Sequence, residues 1–357
     1  TLEWIADQQW CNGSIASVGG SAMGLTGYAM APGAPSELKC MVAAVATPDI
    51  YGHIFSHGGS VRWELAYNWL LEQGSLNLYD EFLEHRLRDE WWHDYDWLSS
   101  PDAVRLKTLH FGGWWDLHIQ GPIDAYREYQ HHGGEGAVGN QYLIMGPWHH
   151  FNLNADWLAQ TFPGDRLTGE LRFPDNAFPG GWPFADDGWE LLLDWLGYCL
   201  RDEPTAAASW PRVQVYLMGA VGESGAPGNR WLGGDDWPLA AVSVPYYLTA
   251  QGGLTRTPSS ADQLTLEIDP EDPVPTLGGA NHFPDIQVDG RPMGIGPMDQ
   301  RLGEARDDVL TFTSPVLAEP VTVVGRVRCR LWVLPDSPDM DLSVRLTDVY
   351  PDGRSMH

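Results

Sequence analysis

Basic residues are scarce in this chain. Lysine and arginine number 21 against 48 aspartates and glutamates, a formal net charge of −27 over 357 residues. A field of that sign repels nucleic acid and anionic membranes, so neither is expected as a partner. Cysteine is scarcer still. The four present (Cys11, Cys40, Cys199 and Cys329) stand far apart with no C-x-x-C spacing. That argues against a zinc site built from them and against a disulfide framework. Long apolar runs are missing as well: none reaches the roughly 18 residues of a membrane-spanning helix. No signal peptide is visible, which leans toward the cytoplasm. The chain opens on TLEWIADQQW, already helix-like and without Met, so the compartment stays open.

What is present describes a folded enzyme-sized chain. Hydrophobic residues make up 43% and charged residues 19%, the balance of a globular protein. The length suits two or three domains. The first part alternates between short apolar runs and helical patterns. Strands are predicted at 14–18, 38–46, 106–111 and 142–145, the second a continuous apolar run of the kind buried on both faces. Helices are predicted at 22–31, ended by Pro32-Gly33, and across WDLHIQGPIDAYREYQHH. Strand, helix, strand, helix, strand is the pattern of a parallel α/β sheet with crossover helices.

Residues 47–103 interrupt that alternation with Trp- and acid-rich pieces such as VRWELAYNWLLEQ and YDEFLEHRLRDEWW, which predict a helical cap. The sheet domain is therefore expected over 1–46 and 104–203. Within it, 151–187 is Pro/Gly-rich loop and 188–202 an amphipathic helix. Beyond 211 the runs VQVYLMGA, AVSVPYYLTA, DQLTLEI, DVLTFTS, VTVVGRVRCRLWVL and MDLSVRLTDVY recur between turn residues, predicting an all-β sandwich or jelly roll over 211–357.

One serine stands where a strand turns into a helix: Gly19-Gly20-Ser21-Ala22-Met23-Gly24. A nucleophile elbow needs this setting, with the hydroxyl on a sharp turn and helix N–H groups facing developing negative charge. The spacing is G-x-S-x-x-G rather than G-x-S-x-G, and a Gly/Ser turn alone is more often structural than catalytic. A serine also needs a base, and the base an orienting acid. Asp116 follows the strand at 106–111, and His149 and His150 follow the strand at 142–145. Ser, acid, His is the chain order of α/β-hydrolase sheets, each at a strand end. Three residue types in that order and placing outweigh the ordinary reading of each as a loop residue.

The stretches WIADQQWCNGSIASVGGSAMG, HFGGWWDLHIQGPIDAYR, LIMGPWHH, DPEDPVPTLGG, DVLTFTSPVL and DVYPDGRS resemble the cocaine esterase/X-Pro dipeptidyl-peptidase family of serine hydrolases. The resemblance implies an α/β-hydrolase domain with a helical cap and a jelly-roll domain after it. It makes Asp116, of the GW-x-D stretch, the acid. It makes His150, the last residue of GPW-x-H, the base. Ala22 stands where the family usually has Tyr after the nucleophile, leaving its backbone N–H as an oxyanion donor. The family's second donor, a Tyr hydroxyl, comes from a segment well before the elbow. With the early sheet strands also missing from view, the expectation is an internal fragment of a longer enzyme. The strand at 14–18 would then be a bare apolar edge, prone to association, including homo-oligomers.

The implied reaction is hydrolysis of a small ester or amide through an acyl-enzyme, with no cofactor and no metal. Trp114, Trp115 and Trp148 flank the acid and the base and are candidates for an aromatic pocket or for packing. Asp89, Glu90, Asp94 and Asp96 of the cap could meet a substrate amine, but a solvated helix face is the more ordinary use. Some relatives that hydrolyse α-amino esters carry an acid three places after the nucleophile. Here that place is Gly24. The His131-His132 and His149-His150 pairs lack an acid at ligand spacing. Two other functions remain to be weighed: an Xaa-Pro dipeptidyl-peptidase, with a site for a free amine, and a non-catalytic protein whose β domain binds carbohydrate or a partner.

Overall fold

The structure, a computed structural model, describes residues 1–151, 167–174, 189–258, 263–288 and 290–357. Most of the stretch expected as loop at 151–187 lies outside the described residues, as do the first residue of the predicted helix at 188–202 and that of the run DQLTLEI.

A short helix α1 (Leu2–Ala6) leads into strand β1 (Ile15–Gly20) and helix α2 (Ala22–Met30). Strand β2 (Leu38–Ala44) follows, and then the segment predicted as helical. That segment contains α3 (Trp63–Glu72) and α4 (Asn77–Glu84), with single turns at Tyr51–Phe55, Glu90–Tyr95 and Pro101–Ala103. Its own small core is aromatic: Phe55 and Trp92 are buried against Phe82 and Trp91. The chain returns through β3 (Lys107–Trp115), α5 (Gln120–His132) and β4 (Gln141–His149). Helix α6 (Trp189–Arg201) precedes β5 (Val213–Leu217) and β6 (Arg230–Gly234).

The six strands form one sheet in chain order, β1 to β6. The first five are parallel and β6 is antiparallel to β5. Alternation along β2 explains why helices cover both faces. Cys40, Val42 and Ala44 pack with Leu191, Trp195 and Cys199 of α6. Met41 and Ala43 point the other way, into a cluster with Tyr28 of α2 and Ala125 and Tyr129 of α5. A strand covered on both faces must be apolar at successive positions, which is why the sequence shows a run there.

Strand β5 had been expected in the following β domain. It instead pairs with β4 through Leu143↔Val213 and Met145↔Val215. Alternation announces a strand; it does not say which sheet takes it. After Gly234 the described residues form only two-residue pairings, such as Tyr247–Leu248 with Leu254–Thr255 and Asp348–Val349 with Ser355–Met356, and isolated bridges such as Gly253 with Thr313. The runs at 321–334 and 340–346 join no strand ladder, and Trp332 and Leu334 are almost fully exposed. Apolar alternation makes a segment able to pair, but pairing needs a neighbour in register.

Candidate active site

The turn from β1 into α2 places Ser21 in the left-handed half of backbone space, with φ 52° and ψ −126°. Such a conformation costs a non-glycine residue about 1–3 kcal/mol and persists only where the surroundings enforce it. Two glycines make the turn possible. A Cβ on Gly19 would lie 2.6 Å from the Met23 carbonyl group, and one on Gly24 2.6 Å from the Ala46 Cβ. The first glycine lets the helix fold back on its strand. The second lets α2 lie against the end of β2. The Ser21 N–H donates to the Ala44 carbonyl at 2.9 Å, fixing the elbow to the neighbouring strand.

Trp115 of β3 is opposite His149 of β4, so Asp116 and His150 are each the next residue and leave the sheet at one rim. There His150 Nδ1 lies 2.7 Å from Asp116 Oδ2, and His150 Nε2 lies 2.9 Å from Ser21 Oγ. Asp116 is fully buried and His150 nearly so. The other Asp116 oxygen, Oδ1, accepts the His118 N–H at 2.7 Å. Burial alone would raise the Asp116 carboxyl. The adjoining His150, by charge and hydrogen bond, and then His118 outweigh burial and hold it below the usual carboxylate range. An ionised Asp116 accepts the proton on Nδ1, which leaves Nε2 free to accept the serine hydroxyl.

The three tryptophans of the sequence reading sit apart from this relay. Trp148 is fully buried, stacked on Phe111 at 5.1 Å in the sheet core. Trp114 donates to the Tyr216 carbonyl at 2.8 Å and packs on Trp237. Trp115 sets its ring edge-on to His357. The rings that meet His150 are instead His118 at 5.7 Å, Phe151 at 5.7 Å and His282 at 5.5 Å. Two of the cap acids, Asp89 and Asp96, serve the cap. Arg88 bridges Asp49 and Asp96, while Asp89 pairs with His85 and accepts the Trp91 N–H. His132 pairs with Glu128 and His131 with Asp236. Among the described residues no group of three His, Cys, Asp or Glu could hold a metal ion.

Sequence reasoning missed the residues that bring the C-terminal part to this rim. Arg62 Nη1 donates to the Leu117 carbonyl at 3.0 Å and Nη2 to the Ala280 carbonyl at 2.8 Å. Two residues on, Glu64 Oε1 accepts the backbone N–H groups of His282 and Phe283. The start of α3 thus binds the 280–283 segment to the turn after Asp116. No local pattern could signal contacts spanning 218 positions. His118, two places after Asp116, was within reach of sequence reasoning. So was a second buried chain, in which His53 joins Thr47 at 2.6 Å to Asp124 at 3.4 Å.

A parallel sheet with a strained serine between strand and helix, and acid and histidine after the next strand ends, defines an α/β-hydrolase fold. Comparison with known proteins narrows the class. Residues 1–80 and 70–152 match the model of X-Pro dipeptidyl-peptidase (S15 family), and residues 205–357 that of the X-Pro dipeptidyl-peptidase C-terminal non-catalytic domain. The chain is 27% identical to cocaine esterase of Rhodococcus sp. (strain MB1 Bresler), over 100% of the chain and 66% of that protein. It is 22% identical to the Xaa-Pro dipeptidyl-peptidase of Lactobacillus delbrueckii subsp. lactis, over 95% of the chain and 40% of the relative. Among solved structures, an alpha-amino acid ester hydrolase superposes with a TM-score of 0.67 at 23% identity, over 91% of the chain and 56% of that structure. This chain belongs to the cocaine esterase/X-Pro dipeptidyl-peptidase family of serine hydrolases. It spans 66% or less of the length of these relatives.

Proposed function

We propose that this chain carries the reaction centre of a serine hydrolase that cleaves ester or amide acyl bonds through Ser21, His150 and Asp116. The observation that supports it most is the relay of two short hydrogen bonds from Ser21 Oγ through the His150 ring to Asp116, at 2.9 and 2.7 Å. In this reading His150 Nε2 takes the hydroxyl proton as Ser21 Oγ attacks the acyl carbonyl. Buried Asp116 stabilises the imidazolium and holds its ring. The N–H of Ala22, first residue of α2, faces the developing oxyanion at the positive end of the helix. His150 then returns the proton to the leaving alcohol or amine, and a water activated by His150 releases the acid.

Esters are favoured over Xaa-Pro peptides with a free N-terminus, because such a peptide needs a carboxylate for its ammonium group. Among the described residues near the relay, Asp116 is engaged by His150 and His118, and Glu64 gives one oxygen, Oε1, to two backbone N–H groups. The test has two parts. A fluorophosphonate probe should label Ser21 and fail on Ser21→Ala. Hydrolysis should favour aryl and alkyl esters over Xaa-Pro amides. Labelling that survives Ser21→Ala would remove Ser21 as the nucleophile.

A further inference from the structure

Beside the relay stands an imidazole that the proposed reaction does not use. His282 lies on the C-terminal segment, 132 positions after His150, yet its ring centroid is 5.5 Å from that of His150. Phe151 at 5.0 Å, Trp69 of α3 at 5.7 Å and Phe283 at 4.7 Å surround it. It is held there rather than merely adjacent, through Glu64 on its own N–H and Arg62 on the carbonyl two residues earlier.

The ring of His282 makes no hydrogen bond with any described group, and its Nδ1 is buried. With Nδ1 closed off, Nε2 is the ring nitrogen left to take a polar group that arrives with the substrate. The rings of Phe151, Trp69 and Phe283 pack on it, which sets a directional polar group among aromatic faces, the usual build of a specificity contact.

We propose that His282 is a specificity-determining residue, whose ring hydrogen-bonds an uncharged polar group, a hydroxyl or carbonyl, of the substrate beside the scissile acyl bond. This rests on the hydrolase reading above. The partner is uncharged because the surroundings leave no place for an ion. Arg62 and the imidazolium formed at His150 repel an ammonium, and the nearby carboxylates Asp116 and Glu64 repel a carboxylate. Burial, with His150 and Arg62 adding to it and Asp116 opposing, pushes the His282 pKa down to about 4, so the ring is neutral at pH 7. Nε2 of a neutral imidazole donates or accepts according to the tautomer, and a hydroxyl meets either role.

The polar group could belong to the acyl or the leaving side, and two substrate pairs separate these. One pair is a phenylacetate and its α-hydroxy counterpart with the same leaving group. The other is an ethyl and a 2-hydroxyethyl ester of one acid. The readout is the kcat/KM ratio within each pair, which does not depend on the fraction of enzyme folded. In the intact chain the hydroxylated member of one pair should be preferred. His282→Phe should cut that preference about tenfold, and His282→Gln should restore part of it. Ratios unchanged by His282→Phe in both pairs overturn the proposal while leaving the hydrolase reading in place. Failure of a fluorophosphonate to label Ser21 in the unsubstituted chain overturns both.

Discussion

Gly113 of β3 and Trp148 of β4 approach so closely that a Cβ on Gly113 would strike the Trp148 carbonyl oxygen. The strand register shifts between Gly113 and Trp115, and Asp116 and His150 emerge just beyond. The 2.7 Å bond between those two side chains therefore depends on a residue with no side chain. Gly113→Ala should destabilise the fold by about 1–3 kcal/mol. It should also lower kcat more than it raises KM, because the acid and base are displaced together. Thermal unfolding and steady-state kinetics on one ester measure both effects.

Ser21 offers a test in which function and stability move in opposite directions. Its φ of 52° is unfavourable for any residue with a Cβ. Ser21→Gly removes both hydroxyl and strain, while Ser21→Ala removes the hydroxyl only. Both should abolish hydrolysis. The glycine variant should be the more stable of the two, by about 1 kcal/mol, in urea unfolding.

Asp116→Asn keeps the shape of the acid and removes its charge. The amide no longer fixes the proton on His150 Nδ1 or stabilises the imidazolium. A loss of about 10⁴ in kcat is expected, with KM nearly unchanged. A fall of less than tenfold in a correctly folded variant would show that the carboxylate does not serve His150.

Acid should unfold this protein through buried histidines. His110 is fully buried between Tyr28 Oη at 2.8 Å and Gln141 Oε1 at 3.1 Å. Burial, only partly offset by Gln141, pushes its pKa down to about 3. Unfolding restores a value of about 6.5, so between those limits the unfolded chain binds more protons than the folded one. Stability is therefore lost as pH falls through that window, by about 1.4 kcal/mol per pH unit for one fully engaged group. His282, pushed down to about 4, acts in the same direction. Urea midpoints measured from pH 7 to pH 4 should decline, and His110→Gln should flatten the slope.

The parts of the candidate site nearest each strand end were legible in the sequence. Ser21, Asp116 and His150 each follow an apolar run, and the glycines at 19 and 24 mark a turn too tight for side chains. Helix α2 was legible from its pattern and the Pro32-Gly33 stop, and α3 from its pattern. The rest depended on long-range partners. Nothing in VQVYLMGA says that β5 joins the sheet of β4 rather than the strands after it. The tryptophans beside the acid and base suggested a pocket, but Trp148 went into the core because the alternation of β4 turns it inward against Phe111. His282 carries no signal in GGANHFPD, since its placement beside His150 comes from Glu64 and Arg62 far upstream.

The Arg62 guanidinium spans two carbonyls from segments more than 160 positions apart, those of Leu117 and Ala280. Its reach is fixed by a side chain of one length, so the three segments tolerate new side chains far better than new residues. One amino acid inserted at 62–64, 116–118 or 280–283 would move the guanidinium or one of its two carbonyls out of reach and leave a charge without its partner.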